Sequence, residues 1–309
     1  MTSERITTVE RMLKQRAVCA AYKPRPMGLL EIAVFAALAL HLATPLANVP
    51  RFDHVVIVVM ENTSAGAVIG DAGNAPYLNL LATEGVYFTQ SFAITHPSQP
   101  NYLALFSGST QGISDDTCPH TFSNENLGSQ LLAVGLTFVG YSENMPADGY
   151  ADCLSYPYSR KHNPWVNFDN LPTTVNLAFS EFPNDFAMLP TLAIVVPDLC
   201  HDMHDCSRLV GDTWIHDQFD AYAQWSTLHN SLLIITWDED DYSDGNANHI
   251  PTIFHGARLK SGAYSEPINH YNVLRTLEDM YGVTPLGNAF NASPIVDVWT
   301  DSIFASEFE

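Results

Sequence analysis

Three runs of aliphatic and β-branched residues in this chain each end in carboxylates. Residues 53–60 are followed by Glu61 and Asn62, residues 191–196 by Asp198, Asp202, His204 and Asp205, and residues 231–237 by Asp238, Glu239, Asp240 and Asp241. Carboxylates that converge repel one another unless a cation sits between them. A divalent-metal site is the economical reading of three such ends. A fourth segment, Thr95-His96-Pro97-Ser98-Gln99-Pro100-Asn101-Tyr102, sets a serine just ahead of a helical stretch over 99–106. Pro100 suits an early helical position, where a missing N–H costs nothing. Ser98 then lies where free backbone N–H groups and the helix dipole favour an anion. A serine hydroxyl is a poor nucleophile until a base or a metal lowers its pKa. No G-x-S-x-G elbow surrounds Ser98, so metal activation suits it better. Taken alone, the segment reads as an ordinary N-cap.

The elements that must position these groups are legible in outline. Residues 53–60, 191–196 and 231–237 are near-continuous apolar runs, the pattern of strands buried on both faces. Residues 86–92 and 136–141 add two more strand-like segments, while Pro76–Glu84, Leu127–Ala133, 212–225 and 271–281 carry helical periods. Strands alternating with helices predict a parallel sheet covered on both faces, hence an α/β fold. Ligands of such sheets gather at the carboxyl ends of the strands, which is where the acidic clusters fall. No internal repeat and no linker rich in Pro, Gly or Ser interrupts residues 48–309, which read as one α/β domain.

Composition narrows the function classes. Of 309 residues, 46% are apolar and 15% charged, enough to bury a sizeable core. The net charge of −21 argues against nucleic acid and against a stable partnership with anionic membrane, both of which want basic patches. Residues 1–47 differ from the rest. They hold six of the thirteen basic residues, then an apolar run from Ile32 to Ala43 that is too short for a comfortable membrane span, then small residues up to Ala47. A signal peptide with secreted or periplasmic export is the expectation, with Met1 or Met27 as start; an uncleaved N-terminal anchor is the competing reading. Cys19 lies in that leader, leaving Cys118, Cys153, Cys200 and Cys206. The closeness of Cys200 to Cys206 and the loop-like settings of Cys118 and Cys153 favour those two pairings. Without a C-x-x-C spacing, zinc ranks below disulfides.

Residues 52–282 resemble the bacterial phosphoesterase family of the alkaline phosphatase superfamily, which contains acid phosphatases and phospholipases C. The matching pieces run in order: Met60-Glu61-Asn62, residues 97–102, Tyr158-Ser159-Arg160-Lys161-His162-Asn163-Pro164, Pro197-Asp198 through His204-Asp205, Gly211-Asp212-Thr213-Trp214, residues 235–241, Asn248-His249-Ile250-Pro251-Thr252, and residues 269–279. The resemblance implies an alkaline-phosphatase-like three-layer sandwich. It further implies transfer of phosphate to Ser98, with a divalent metal held by Glu61, Asn62, Asp238, Glu239 and Ser98 itself. That oxygen-rich set with one amide suits Mg, Ca or Mn more than zinc.

Of the remaining polar residues, His204 is the candidate for protonating the leaving alkoxide, and His162, beside Arg160 and Lys161, for adding positive charge to the phosphate pocket. His96 is read as shaping its loop, His249 as lining the site, His270 and Arg275 as structural, and Asp115 and Asp116 as solvated loop acids. The expected activity is hydrolysis of small soluble phosphomonoesters. Two alternatives stand beside it: a phospholipase C-type phosphodiesterase, and a catalytically silent secreted protein that binds metal or phosphate.

Overall fold

The computed structural model describes residues 49–300 apart from 244 and 246. The expected leader, residues 1–47, lies outside the described residues, which fall within one compact unit.

An eight-stranded sheet forms the middle layer. Its strands are β1 (His54–Met60), β2 (Val86–Phe88), β3 (Phe138–Ser142), β4 (Asn176–Ala178), β5 (Leu192–Val196), β6 (Ser231–Trp237), β7 (Thr252–Gly256) and β8 (Gly262–Tyr264). In space they run β8-β2-β7-β6-β1-β5-β3-β4. β1 pairs parallel with both β5 and β6, and β3 pairs parallel with β5 and β4. β7 alone runs against its neighbours β6 and β2. The three sequence runs with acidic ends are therefore β5, β1 and β6, side by side at the centre. Their register, with Met60 opposite Trp237, brings their carboxyl ends to one edge.

The helices are α1 (Ala65–Val68), α2 (Pro76–Glu84), α3 (Ser98–Ser107), α4 (Leu127–Ala133), α5 (Arg208–Leu228) and α6 (His270–Tyr281). β1 shows why the sheet is covered on both sides. Val55, Ile57 and Val59 pack into one core with Tyr102, Leu103 and Phe106 of α3, Leu131 of α4 and Leu274 of α6. Val56, Val58 and Met60 pack into a second core with Leu78 and Leu81 of α2 and Ile215, Phe219 and Tyr222 of α5. With a period of two, every residue of such a strand buries its side chain, which is why the run lacks polar alternation.

Two sequence expectations need adjustment. Residues 86–92 are not one strand: β2 stops at Phe88, and Ser91–Phe92 pairs instead with Ile268–Asn269 in a small separate sheet. β4, β7 and β8 carry too few residues or too mixed a pattern to be read as strands. The two cysteine pairings are as expected, Cys118 with Cys153 and Cys200 with Cys206. Among the described residues no helix is long and apolar enough to cross a membrane.

Candidate active site

The nucleophile candidate begins α3. Pro97 is the N-cap and makes no side-chain capping bond itself, so the ordinary N-cap reading of Ser98 does not hold. The Ser98 hydroxyl lies instead 3.1 Å from Glu61 Oε2 and 3.1 Å from Glu239 Oε1. All ten residues of α3 are buried. Its far end is fixed by Gly108, whose φ of 69° and close approach to the Leu286 carbonyl, 2.1 Å from where a Cβ would stand, leave room for glycine only.

Glu61 is the hub of the site. Tyr102, one turn along α3 from Ser98, donates its hydroxyl to Glu61 Oε1 at 2.5 Å. His162 Nε2 lies 3.1 Å from the same oxygen, and its ring stacks on Tyr102. Asn62 follows with φ 28°, a left-handed conformation that asparagine tolerates. Its backbone N–H donates to Asp238 Oδ1 and its side-chain amide to Glu239 Oε1. Those bonds leave Asn62 Oδ1 and Asp238 Oδ2 buried with no hydrogen-bond partner. Behind this group, His270 donates to the Asp238 carbonyl, and His96 Nδ1 stands 2.6 Å from Glu239 Oε2.

Electrostatics sharpen the picture. Burial, followed by the mutual repulsion of neighbouring carboxylates, raises Asp238 and Asp202 well above the usual aspartate range. Burial pushes Glu61 up to about 7, against the lowering effect of the Tyr102 bond. Glu239 is also raised by burial, with His96 pulling the other way. Buried carboxylates crowded in this way, with Asp202 Oδ2, Asp238 Oδ2 and the amide oxygen of Asn62 left without hydrogen-bond partners, form a donor set that fits a divalent cation. Glu61, His162 and Asp202 also lie close enough to one another to share an ion.

The basic triplet divides. Arg160 turns inward, donating to the Ala151, His120 and Val166 carbonyls and to Asn167. His162 is 1% exposed, and burial together with the charges of Lys161 and His204 holds its imidazole well below the usual histidine range. His162 is thus a neutral ring set against Glu61, and within the triplet the positive charge felt at Glu61 is that of Lys161. His204 stands at the rim, its side chain 40% exposed, with Nδ1 2.7 Å from Asp205 Oδ1. The residue before it, Met203, has φ 83°, a strained conformation of the kind that collects at functional sites.

Three contributors carried no clear signal in the sequence. Tyr102 falls four residues after Ser98, a helical spacing that puts both on one face, yet an aromatic there reads as core. His96 was read as shaping its loop, although it reaches Glu239, and Asp240 at 3.3 Å. Asp116, read as a solvated loop acid, instead accepts from the Gln99 N–H and pairs with Lys161. His249 bonds the Thr89 carbonyl through its ring. Asp198 accepts from the N–H groups of Cys200 and His201 and from Asn144, which makes it a loop cap. A cleft of about 550 Å³ bordered by Glu143, His201 and Trp214 shares no lining residue with the Ser98 site. Its acid groups accept from Trp214, His201 and backbone N–H groups, and Glu143, Asp198 and His201 also lie close enough to one another to share an ion.

Family and relatives make this chain a hydrolase acting on phosphoric ester bonds. The chain belongs to the phosphoesterase family, whose model matches residues 71–284. It is 51% identical over 255 residues to a phosphatidylinositol-3-phosphatase of Mycobacterium tuberculosis, a match covering 82% of this chain and 84% of that protein. It is 31% identical to a phosphate-repressible acid phosphatase of Penicillium chrysogenum, covering 79% of this chain and 63% of that longer protein. Two solved structures share the fold at low identity. One is an alkaline phosphatase superfamily protein from Vibrio parahaemolyticus, with a TM-score of 0.53 and 16% identity over 79% of this chain and 69% of that one. The other is a phosphonate monoester hydrolase from Silicibacter pomeroyi, with a TM-score of 0.55 and 10% identity over 82% and 78%.

Proposed function

We propose that this protein is an exported, metal-dependent phosphomonoesterase that works through a phosphoserine at Ser98. The reading rests on one observation above the rest: the Ser98 hydroxyl, at a helix N-terminus, is held 3.1 Å from one oxygen each of Glu61 and Glu239, while Asn62 Oδ1 and Asp238 Oδ2 have no partner. Glu61, Asn62, Ser98, Asp238 and Glu239 would hold the cation. When bound, it supplies positive charge that lowers the serine pKa and offsets charge on the phosphate oxygens.

The chain's own residues then divide the work. Ser98 Oγ gives its one proton to Glu61 or Glu239, each 3.1 Å away, and attacks phosphorus in line, forming the Oγ–P bond as the ester oxygen leaves. His204, with Nδ1 engaged by Asp205, keeps Nε2 for protonating that leaving oxygen. It then accepts a proton from the water that attacks phosphorus; the Oγ–P bond breaks, Ser98 Oγ takes its proton back from the carboxylate, and inorganic phosphate is released. His162 and Tyr102 position Glu61.

Names of the similar proteins favour a monoester, since both are phosphatases; neither the diesterase nor the silent-binder alternative gains support from them. The mycobacterial relative makes a phosphoinositide monoester a substrate to test beside soluble esters. Two disulfides suit an oxidising compartment. With the basic and then apolar residues 1–47 as a cleaved leader, they support a secreted or periplasmic catalytic domain over 48–309.

The deciding experiment compares p-nitrophenyl phosphate, bis-p-nitrophenyl phosphate and a short-chain phosphatidylinositol 3-phosphate, in wild type and Ser98→Ala. Monoester turnover that falls by about four orders of magnitude or more in the variant supports the reading. Preference for the diester, or turnover that survives the substitution, overturns it.

A further inference from the structure

A phosphomonoester arrives with two negative charges at a site already crowded with carboxylates, so the cations near Ser98 decide whether it can bind. Arg208 pairs with Asp71, Arg275 with Asp279, and Arg160 is spent on backbone carbonyls. Lys161 differs. It lies in the short turn Arg160–His162, between a buried arginine and the imidazole set against Glu61. Its charge is felt at Glu61 and Asp238, and Asp238 is 1% exposed with Oδ2 unpartnered. Lys161 and the buried carboxylates therefore belong to one site.

In this structure the Lys161 ammonium is engaged by the chain's own anion. Asp116 Oδ2 lies 2.7 Å from Lys161 Nζ, and Asp116 Oδ1 accepts the Gln99 N–H at 2.9 Å. Gln99 is the residue after the nucleophile, so its N–H is one of the free donors at the start of α3. One carboxylate thus bridges an ammonium and a helix N-terminal N–H directly beside Ser98. Carboxylate and phosphate both present paired oxygens to such donors and compete for them. Asp116 is held there without being buried: its side chain is 30% exposed, and it sits on the loop between α3 and α4. The Cys118–Cys153 disulfide ties that loop to the segment leading into Lys161.

We propose that Lys161 Nζ and the Gln99 N–H form the seat for the phosphate oxygens of a monoester dianion, and that Asp116 is an internal placeholder which the substrate displaces. The inference rests on Ser98 as the nucleophile and adds what selects the substrate. A dianion competes with the Asp116 carboxylate for two donors. A diester carries one charge fewer and places an esterified oxygen in the seat, so it displaces Asp116 poorly. Lys161 is then a specificity-determining residue.

The test uses inorganic phosphate as a competitive inhibitor of p-nitrophenyl phosphate turnover, with added divalent metal, on the full chain. Asp116→Ala should lower the Ki for phosphate several-fold, and Asp116→Asn, which keeps the Gln99 contact without the charge, should lower it less. Lys161→Met should raise Ki by about tenfold or more and reduce the preference for monoester over diester, with Lys161→Arg restoring part of both. The variant carrying both Asp116→Ala and Lys161→Met should resemble Lys161→Met, because removing Asp116 frees little once the ammonium it occupies is gone. A Ki that rises or stays unchanged in both Asp116 variants overturns the placeholder, and an unchanged Ki in Lys161→Met overturns the seat. Unfolding midpoints identify any variant that fails to fold. Turnover surviving in Ser98→Ala would mean that the nucleophile assignment itself is wrong, whereas its loss together with a wrong Ki order removes only the seat.

Discussion

Tyr102 donates its hydroxyl to Glu61 at 2.5 Å from a position one turn beyond Ser98, which bonds the other oxygen of the same carboxylate. A single helix therefore clamps both oxygens of Glu61, with the Ser98 hydroxyl on one side and a buried phenol on the other. Burial and the adjacent carboxylates hold that phenol well above its ordinary range, so it stays a donor at any working pH.

The first prediction follows from that clamp. Tyr102→Phe keeps the ring packing and the stack on His162 but frees one Glu61 oxygen. Because groups that orient metal ligands typically matter by 10–100-fold, the variant should need about tenfold more divalent cation for half-maximal activity. Titration of activity with metal checks this; a lower kcat at an unchanged metal requirement would contradict it.

Chelation is the second prediction. Removing divalent ions should abolish turnover and lower the unfolding midpoint, because the buried carboxylates lose their counter-charge. Re-addition of Mg, Ca or Mn should restore both. With metal at 100 times its Kd the ligand contributes about 2.7 kcal/mol of stability. Calorimetry with and without chelator reads the difference.

The two disulfides should not be equivalent. Cys118–Cys153 closes a separation of 35 residues and Cys200–Cys206 one of 6, and the longer closure restrains the unfolded chain more. Replacing the first pair by serine should cost about 2–4 kcal/mol and raise KM, since the tie between the Asp116 loop and Lys161 is lost. Replacing the second should cost less stability and act mainly on kcat, through the segment that carries His204. Unfolding midpoints and steady-state kinetics of the two double variants separate these outcomes.

Glu278 on α6 gives a pH prediction remote from the catalytic groups. Its side chain is buried, one oxygen accepts the Leu286 N–H, the other has no partner, and burial pushes its pKa up to about 8. The folded state thus holds a proton that the unfolded state, near 4.5, gives up. The stability from this group is fully present below about 4.5 and is lost as pH rises through about 8. Glu278→Gln keeps the bond to Leu286 without the ionisation, so its advantage over wild type should grow from pH 4.5 to 8. Midpoints of both proteins measured across that window test the sign; an advantage that shrinks with pH would refute it.

Much of the site was legible because strand ends are local facts. The β-branched runs of β1, β5 and β6 and the acids after them, the serine opening α3, and the sequence nearness of Cys200 to Cys206 can each be read without knowing what lies opposite. Periodicity and side-chain type carry that information along the chain. The parallel arrangement follows from it, because strands alternating with helices have few other ways to bury both faces.

Tertiary structure alone decided which distant side chains meet. Tyr102 reaches Glu61 across 41 positions, and Lys161 reaches Asp116 across 45. Within the basic triplet, three adjacent residues part ways: Arg160 to buried carbonyls, Lys161 to Asp116, His162 against Glu61. Nothing in their spacing distinguishes them, because side-chain direction in an irregular turn is set by packing rather than by a repeating period. The same holds for Asp116, whose loop has no periodicity. Local propensity specified the strands, the helix and the acids at their ends. Long-range packing, register and the disulfide tie determined which carboxylates were left with unpartnered oxygens and which one came to rest beside Ser98.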